Sequence, residues 1–380
     1  MLVAQSPDLH HIYAYTPIKV ANIQPSNNPT GILPREFKDA YGFNNIPNQG
    51  QGQTIALVDA YVDPNIVSDL QFYASYFNLA PCNFQVVQVG NPGDNEGWGL
   101  EESLDVQQAC ALAPQAKIIL FQANSSSFAD LLTAVGVASS SPYNANVVSM
   151  SWGGGEFNGE QQSDSYFCNI TNSNGPVTFV AATGDGGHGT IYPSVSPCVI
   201  AAGGTTLNLA SALPGPNPLS IDYGTESAWS GSGGGVSEFE SQMSWQNPAC
   251  ATWSTTNRCV PDIASDANPN TGVPVYDSYG YGGWVQVGGT SVATPDWASF
   301  FTLVNSLRAA QSKPLLSQVA QDLYTGYYGS NYTTLFHDIT TGTNGSCGSQ
   351  CDAGPGYDLV TGIGSYQAKY LYSNLVAATN

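Results

Sequence analysis

The sequence predicts an α/β fold built on a parallel sheet with helices on both faces. From Thr54 onward, short runs rich in β-branched residues alternate with helical patterns of about 10 to 15 residues, an alternation typical of parallel sheets. The predicted strands are residues 54–59, 84–89, 117–122, 147–152 and 177–183. The predicted helices are residues 64–78, 101–112, 127–139 and 291–311.

The same pattern predicts a single domain. No linker, repeat or low-complexity tract divides the chain, so one domain over residues 34–380 is the simplest organisation, preceded by a Pro- and Asn-rich arm over residues 1–33. Between residues 204 and 289, Gly, Ser, Pro and Asn dominate, and we expect long surface loops there.

The charge of the chain excludes several classes of partner. Its 380 residues include 28 Asp and Glu but only 8 Lys and Arg, which gives a net charge of −20. Eight scattered cations cannot form the basic surface that nucleic acids require, and no apolar run approaches the roughly 20 residues of a membrane span. Charged residues make up only 9% of the chain, so few ion pairs can be lost in acid, which indicates an acidic working environment. A secreted protein that works at neutral pH and is acidic only in composition is the alternative.

The eight cysteines indicate an oxidising compartment. Two pairs are close in sequence, Cys250 with Cys259 and Cys347 with Cys351, and no His near them favours zinc. We therefore expect disulfides and a secreted, extracellular protein, although the sequence leaves the complete pairing open.

The segment VGGTSVATPDWASFF, residues 287–301, places a serine where a helix begins. Pro295 is expected in the first turn, where its missing N–H costs little. Ser291 would then present its hydroxyl and backbone N–H at the positive helix end, as a nucleophile that creates an oxyanion requires. A simple helix cap is the alternative.

Two carboxyls share one face of the helix predicted over residues 101–112. Glu101 and Asp105 are four residues apart, and apolar neighbours indicate that the helix is packed. Close, partly buried carboxyls resist double ionisation and can share a proton. The alternative is a pair of solvated acids near a helix N-terminus. Glu102 points elsewhere and is expected to lie in water.

A third candidate, Asp185, follows a buried strand within Gly184-Asp185-Gly186. Reacting groups gather at the carboxyl ends of parallel strands, and a protonated Asp there could donate a hydrogen bond to an oxyanion. An Asp that merely forms a turn is the alternative.

Taken together, these residues resemble the ordered motifs of the sedolisins, the serine-carboxyl peptidases. The resemblance extends over residues 33–365 and rests on five motifs, Glu101-x-x-x-Asp105, Ser149-Met150-Ser151-Trp152-Gly153, Gly184-Asp185-Gly186, GSGGGVSEF (231–239) and Gly289-Thr290-Ser291-x-x-x-Pro295.

The resemblance implies a subtilisin-like fold with a mostly parallel sheet, and an acid-active endopeptidase. Ser291 would be the nucleophile, Glu101 its general base and Asp105 the supporting acid, and Asp185 would donate in the oxyanion hole. The substrate cleft would be lined by Ser151, Trp152, Gly153, Gly233, Gly234 and Gly235. Tripeptidyl-peptidase action and a catalytically silent binding protein remain as alternatives.

An Asp-His-Ser triad is the rival within the same fold. Asp59, His188 and Ser291 have the chain order of true subtilases. The interval from Asp59 to His188 is much longer than those enzymes have, and Asp185 stands where they carry an oxyanion Asn. We expect His188 in an exposed turn and Asp59 behind the Glu101 and Asp105 pair.

The C-terminal region contains a candidate calcium site. Asp338 and Asp358, with carbonyl groups from Gly-rich loops, offer the oxygen ligands that Ca²⁺ prefers. Their position resembles the sedolisin calcium site, which implies one ion held by Asp338, Ile339, Gly354, Gly356 and Asp358.

The resemblance also implies protein or peptide substrates and an N-terminal propeptide before maturation. The catalytic pattern begins close to the first residue, so we expect this chain to be the mature part. We expect a monomer.

Overall fold

The computed structural model of the protein describes residues 7–21, 24–210 and 222–379. The α-helices in these ranges are α1 (Pro34–Tyr41), α2 (Ile66–Tyr76), α3 (Glu96–Leu112), α4 (Phe128–Ala138), α5 (Asn247–Cys250), α6 (Thr290–Ala310), α7 (Val319–Tyr328), α8 (Tyr332–Leu335) and α9 (Ala368–Ala377). The strands are β1 (Lys19–Val20), β2 (Thr54–Ala60), β3 (Asn83–Val89), β4 (Lys117–Ala123), β5 (Val147–Met150), β6 (Gly154–Gly155), β7 (Thr171–Asn172), β8 (Gly175–Pro176), β9 (Thr178–Ala182), β10 (Ile191–Tyr192), β11 (Ile200–Leu209), β12 (Tyr223–Ala228), β13 (Gly235–Ser241), β14 (Asn257–Val260), β15 (Ile263–Asp266), β16 (Val273–Asp277), β17 (Gly283–Gly288), β18 (Phe336–His337) and β19 (Ser365–Tyr366). Short 3-10 helices cover Leu9–His11, Phe43–Asn45, Glu160–Tyr166 and Gly348–Gln350.

The central sheet has the strand order β12-β11-β9-β5-β2-β4-β3, with β15 also paired to β11. Each neighbouring pair is parallel except β11 with β12, which is antiparallel. Strand β2 lies inside the sheet, where Leu57 is opposite Leu120 of β4 and Ser149 of β5. All five predicted strands lie in this sheet, so the predicted α/β class is confirmed.

Side chains that alternate along the strands build a core on each face. On β2, Ile55 and Leu57 belong to one apolar cluster, and Ala56 and Val58 belong to the other. Helices α3 and α6 pack on the first face and α4 packs on the second. Because successive residues of a strand point to opposite faces, a strand covered on both sides reads as one continuous apolar run.

Two predicted helices begin earlier than the sequence pattern indicated. Helix α3 starts at Glu96 because the side chain of Asn95 accepts a hydrogen bond from the Trp98 N–H (3.0 Å) and caps the first turn. Glu101 therefore lies in the second turn of α3. Helix α6 starts at Thr290, so Pro295 lies in the second turn rather than in the predicted first turn.

The prediction of long surface loops over residues 204–289 was wrong for most of the described part of that segment. Strands β12 and β15 join the central sheet, and β16 and β17 form an antiparallel hairpin. Several glycines here reflect close packing: a Cβ on Gly204 would lie 2.7 Å from that of Ala267 and 2.9 Å from the Trp229 ring. Residues 211–221, part of the same prediction, lie outside the described residues.

All eight cysteines form disulfides, as predicted. The two pairs close in sequence, Cys250–Cys259 and Cys347–Cys351, are both present. The other two bridges, whose pairing the sequence left open, are Cys82–Cys110 and Cys168–Cys198.

A search of the helices in the described ranges finds none with the length and apolar character that crossing a membrane requires.

Candidate active site

The candidate residues meet near the carboxyl ends of β5 and β9. Ser151 follows β5, Asp185 follows β9, and Ser291 is the second residue of α6. Helix α3 brings Glu101 and Asp105 to the same place, because α3 and α6 pack against each other on one face of the sheet. This is the edge at which α/β folds gather their reacting groups.

Glu101 and Ser291 are fully buried neighbours. Burial, followed by the negative charges of Asp105 and Asp59, raises the pKa of Glu101 well above its ordinary value, and the nearby Ser291 hydroxyl partly opposes this rise. Within the described chain, however, neither Glu101 oxygen nor the Ser291 Oγ has a partner at good hydrogen-bond geometry. The Glu101 carboxyl and the Ser291 hydroxyl therefore lie side by side, but they do not form a hydrogen bond in this conformation.

Asp105 is held by Ser151. The Ser151 Oγ donates to Asp105 Oδ1 (2.8 Å), and it also lies 3.4 Å from the Ser291 carbonyl oxygen. That carbonyl is accessible because Pro295, four residues on, has no N–H to offer it. Burial and the charge of Asp59 raise the pKa of Asp105 well above its ordinary value, and the Ser151 hydrogen bond opposes the shift.

Asp59 lies at the end of β2, close enough to Glu101 and Asp105 for its charge to act on both. It is fully buried, and neither of its oxygens finds a hydrogen-bond partner in the part of the chain that the structure describes. Burial raises the pKa of Asp59 to about 8. The site therefore contains three mutually interacting carboxyls, which cannot all be ionised at once.

The expectation that Glu102 lies in water was wrong. Glu102 is fully buried, and its Oε2 accepts hydrogen bonds from the Asp63 N–H (3.0 Å) and from Gln122 Nε2 (2.9 Å). Helix α3 is buried on all sides from Trp98 to Leu112, so it has no solvent-facing stripe there. Sequence reasoning assumed such a stripe, since most helices at a surface have one.

Sequence reasoning also missed Asp296, one turn after Ser291 on α6. It is fully buried, and neither of its carboxylate oxygens is hydrogen-bonded within the described ranges. Burial and the charge of Asp266 raise the pKa of Asp296 well above its ordinary value. Its charge in turn raises the pKa of Asp105, which links it to the site. An Asp inside the apolar run of α6 was the signal that could have revealed it.

Asp185 is oriented by Thr290, a residue not selected from the sequence. Asp185 Oδ1 accepts hydrogen bonds from the Thr290 N–H (2.8 Å) and the Thr290 Oγ1 (3.1 Å), whereas no described group hydrogen-bonds to its Oδ2. Burial raises the pKa of Asp185 to about 7, although the bonds from Thr290 and the positive charge of Lys19 oppose the rise. A proton on this side chain would therefore reside on Oδ2.

The backbone N–H of Ser291 donates to the carbonyl oxygen of Pro17, at 3.1 Å. This oxygen and Asp185 Oδ2 lie 2.1 Å and 2.5 Å from the position that a Cβ on Gly289 would occupy. The two oxygens therefore share one small space, and Gly289, with φ +108°, is the residue type that leaves it open. None of the sequence motifs indicated that the N-terminal arm enters the site.

The residues predicted to line the cleft take different positions. Trp152 points into the core, where its Nε1 donates to the Val58 carbonyl (2.8 Å). Gly153 exchanges two backbone hydrogen bonds with Tyr15 of the arm, at 2.9 and 3.1 Å.

The three glycines of residues 233–235 pack against the loop that carries Asp185. The Gly233 N–H donates to the Gly184 carbonyl (2.8 Å), and Gly234 exchanges two hydrogen bonds with Gly189. A Cβ on Gly235 would lie 3.4 Å from the His188 ring.

His188 does not join Asp59 in a triad. His188 is exposed, its N–H donates to the Asn344 carbonyl (3.0 Å), and its ring lies near the sulfurs of Cys347 and Cys351. Asp59 is instead buried beside Glu101 and Asp105. The carboxyl pair, and not an imidazole, is therefore the group next to Ser291.

The proposed calcium ligands converge in the C-terminal region. The Gly356 N–H donates to Asp338 (3.0 Å to Oδ1), and the Gly354 N–H donates to Asp358 Oδ2 (3.1 Å). None of the carbonyl oxygens of Ile339, Gly354 and Gly356 accepts a hydrogen bond from the described residues. The two carboxyls also accept hydrogen bonds from the Tyr332 hydroxyl and from Val360 and Thr361. Together with the three carbonyls they offer only oxygen atoms, the donor type that calcium prefers.

A second acidic group lies between α2, α3 and β16. Asp63, Asp69 and Asp277 are buried, and one oxygen of each lies within 4.8 Å of the others. Ser278 donates twice to Asp69, and Ser103 and the Asn65 N–H donate to Asp63. Most of the carboxylate oxygens in this group therefore already accept hydrogen bonds from neighbouring residues. We interpret the group as part of the packing between these elements.

Comparison with known proteins places this geometry in a family. The model of the subtilase family matches residues 89–331, which is more than half of the chain. The chain belongs to the subtilase family.

Among its relatives, this subtilase is similar to sedolisin of Pseudomonas sp. (strain 101), with 31% identity over 90% of this chain, and to kumamolisin of Bacillus sp. (strain MN-32), with 32% identity over 89%. The chain spans 62% of the length of each of these two curated relatives. A tripeptidyl-peptidase of Aspergillus fumigatus, sed4, is 23% identical over 84% of this chain and 62% of its own length.

A solved structure of Pseudomonas sedolisin, a serine-carboxyl proteinase in complex with pseudo-iodotyrostatin, superimposes with a TM-score of 0.76. The two chains are 28% identical, and the match covers 91% of this chain and 98% of the other. These likenesses confirm the predicted resemblance to the sedolisins and the single-domain, subtilisin-like fold.

Proposed function

We propose that this subtilase is an acid-active serine-carboxyl endopeptidase. The observation that carries the proposal is the peptide carbonyl of Pro17, which accepts the Ser291 N–H and shares a small space with Asp185 Oδ2. Two donors that converge on a peptide carbonyl beside a serine hydroxyl are what an oxyanion hole requires.

In the proposed reaction, the Ser291 Oγ attacks the substrate carbonyl carbon while Glu101 takes its proton. The oxyanion receives hydrogen bonds from the Ser291 N–H and from protonated Asp185 Oδ2. Glu101 then gives its proton to the leaving amine, and water hydrolyses the acyl-enzyme by the reverse transfers.

The carboxyl cluster suits acid. With a pKa of about 8, Asp59 is neutral in acid, so it no longer adds the negative charge that raises the pKa of Glu101. Asp185, with a pKa of about 7, carries its proton over the same range.

The path of the arm favours endopeptidase over tripeptidyl-peptidase action. Tyr13, four residues before Pro17, still pairs with Ser127, and Tyr15 pairs with Gly153. A cleft that ended after three residues on this side of Ser291 could not hold that stretch. Several curated relatives are named tripeptidyl-peptidases, so this geometry is the reason for our choice.

We propose that Asp338 and Asp358, with the carbonyls of Ile339, Gly354 and Gly356, would hold one calcium ion. The bound ion would neutralise two carboxylates and tie the loop of residues 354–358 to the segment after β18. It would support the fold rather than take part in the reaction.

We also propose that the protein is secreted into an acidic environment and acts as a monomer. The four disulfides support an oxidising compartment.

The test of the proposed function is peptide hydrolysis by the acid-treated full chain and two matched variants. Ser291→Ala should lower kcat/KM on a denatured protein substrate at pH 4 by at least about a thousandfold, since the nucleophile is lost. Ser299→Ala, the same change at another buried position of α6, should retain nearly all activity. Full activity in Ser291→Ala would refute the proposal.

A further inference from the structure

A groove with a volume of about 520 Å³ lies at the edge of the central sheet opposite to the candidate active site. Thr178 and Ile200, the first residues of β9 and β11, lie in its wall, whereas Asp185 follows the other end of β9. Because β9 and β11 run parallel, a molecule in this groove would leave the region around Ser291 open.

The lining of the groove carries no charge. One wall lies around the β7–β8 hairpin, and the other consists of residues 243–245 and the start of α7. None of the described lining residues is Asp, Glu, Lys, Arg or His, although the chain has 28 Asp and Glu. Met243 is 40% exposed and Trp245 is half-buried. The groove therefore suits a neutral ligand with an apolar face.

Polar groups without partners also line the groove. The N–H groups of the first three residues of α7 have no acceptor among the described residues, and no side chain caps this helix. Amide and hydroxyl side chains that make no hydrogen bond within the described ranges are those of Asn169, Thr171, Ser244, Ser317, Gln318 and Gln321. A sugar complements such a surface, because its hydroxyls donate and accept hydrogen bonds while its C–H face packs on an aromatic ring.

The groove contains an attachment point for a saccharide. Asn169-Ile170-Thr171 has the Asn-x-Thr pattern that accepts N-linked glycans. Asn169 is exposed and lies between the Cys168–Cys198 disulfide and β7, both of which fix its position. Its φ of +59° belongs to the left-handed region, which Asn adopts at little cost.

The other three Asn-x-Ser/Thr sites differ from Asn169. Asn124 uses both ends of its amide, since Oδ1 accepts the Asn91 N–H (3.1 Å) and Nδ2 donates to Asp130 (3.3 Å). Asn344 is only 4% exposed, and its Nδ2 donates to the Ser232 carbonyl (2.8 Å). Asn331 is exposed but lies outside the groove. Among the four sites, Asn169 alone combines a free side chain with a surface that can hold the sugars.

We propose that Asn169 carries an N-linked glycan whose first sugars lie in this groove. In the attachment step, the Asn169 Nδ2 bonds to C1 of the first sugar of a lipid-linked oligosaccharide. The bond between that carbon and the lipid diphosphate breaks, the nitrogen loses one proton, and the lipid diphosphate leaves. A transferase of the export pathway would catalyse this step.

The glycan would cover the apolar surface of Met243 and Trp245 and would offer oxygen acceptors to the N–H groups of α7. It would leave hydrolysis unchanged, because the groove and Ser291 lie at opposite edges of the sheet. The proposal rests on the proposed secretion of the protein and is independent of the peptidase function.

The first experiment maps glycopeptides in the full chain secreted by its native host. We expect a glycan on Asn169 and an unmodified Asn344. An unmodified Asn169 would overturn the proposal, whether or not another site is occupied. A glycan on Asn344 would overturn the argument that exposure selects the site.

The second experiment compares Thr171→Ala with Thr171→Ser, both made in a host that N-glycosylates secreted proteins. The Ser variant keeps the acceptor pattern, and the Ala variant removes it. Hydrogen peroxide is the probe, and sulfoxide at Met243 is measured by peptide mapping. Met243 should oxidise several-fold more slowly in the wild type and in Thr171→Ser than in Thr171→Ala, because the sugars shield it.

Fully buried Met150 should oxidise equally slowly in all three proteins and serves as the internal control. Equal Met243 rates with Asn169 occupied would show that the sugars lie outside the groove and would overturn that part of the proposal. The kcat/KM on a fluorogenic peptide should be the same in Thr171→Ala and Thr171→Ser. A fall in the Ala variant alone would contradict a glycan that lies away from the active site.

Discussion

Replacing Asp185 by Asn separates its role as a hydrogen-bond donor from its titration. Oδ1 already accepts two hydrogen bonds from Thr290, so the NH₂ group of an Asn would occupy the Oδ2 position. That position faces the space that holds the peptide carbonyl. The variant therefore keeps a donor there at every pH, whereas the wild type has one only while Asp185 is protonated.

The size of the effect follows from the pKa of about 7 for Asp185. About 99% of the side chain is protonated at pH 5 and about 10% at pH 8, so wild-type kcat/KM should fall about tenfold over this interval from this group alone. Asp185→Ala, which lacks any donor, should lose about 100- to 1000-fold even in acid.

The assay is kcat/KM on a fluorogenic peptide from pH 3 to pH 8, with circular dichroism at each pH to exclude unfolding. In Asp185→Asn the alkaline fall should disappear or move to the next group, such as Asp59 with its pKa of about 8. If the Asn variant keeps an alkaline fall with the wild-type midpoint, Asp185 is not the titrating donor.

Three further predictions concern stability. The pKa of fully buried Asp266 is raised from 3.8 to about 8, so its ionisation opposes folding and the protein should lose up to about 6 kcal/mol of unfolding free energy between pH 4 and pH 8. In urea unfolding, the Asp266→Asn variant should lose less unfolding free energy over this pH range than the wild type. If the unfolding free energies of the two proteins differ by the same amount at every pH, the prediction is wrong. Adding EDTA should lower the Tm of the wild type, because a cation at 100 times its Kd stabilises by about 2.7 kcal/mol. Asp338→Asn should respond much less, and an equal response in both would count against the calcium site. Trp152→Phe should lower the free energy of unfolding in urea by about 1–3 kcal/mol, because the buried Val58 carbonyl loses its hydrogen-bond donor. The pH dependence of kcat/KM should stay unchanged. A shifted pH profile would show that Trp152 also acts in the site.

The fold was predictable from the sequence because its signals are local. The continuous apolar runs that became β2 and β4 fit a sheet covered on both faces, and the Ser127 cap marks the start of α4. Even so, the Asn95 cap that lengthens α3 was overlooked, and the glycine-rich strands near Gly204 were mistaken for loops. A glycine in a crowded sheet and a glycine in a flexible loop look alike in a sequence.

The site was predictable in part. Spacing on a helix placed Glu101 and Asp105 on one face, and the glycines before Ser291 marked the start of α6, which the structure brings beside them. Glu102 and Asp296 were misjudged or missed because burial of a carboxyl depends on the elements that surround its helix, and a single helix sequence does not record them.

Residue types at fixed, short spacings were enough to establish the α/β class and to predict the order of the candidate catalytic motifs and a chemistry suited to acid. The joint burial of Asp59, Glu101 and Asp105 emerged only from the folded chain, because desolvation is set by distant parts of the sequence. The position of the arm emerged in the same way. The hydrogen bonds of Pro17 and Tyr15 join residues more than 100 positions apart and are made largely by backbone groups, which every residue carries and which leave no mark in the sequence.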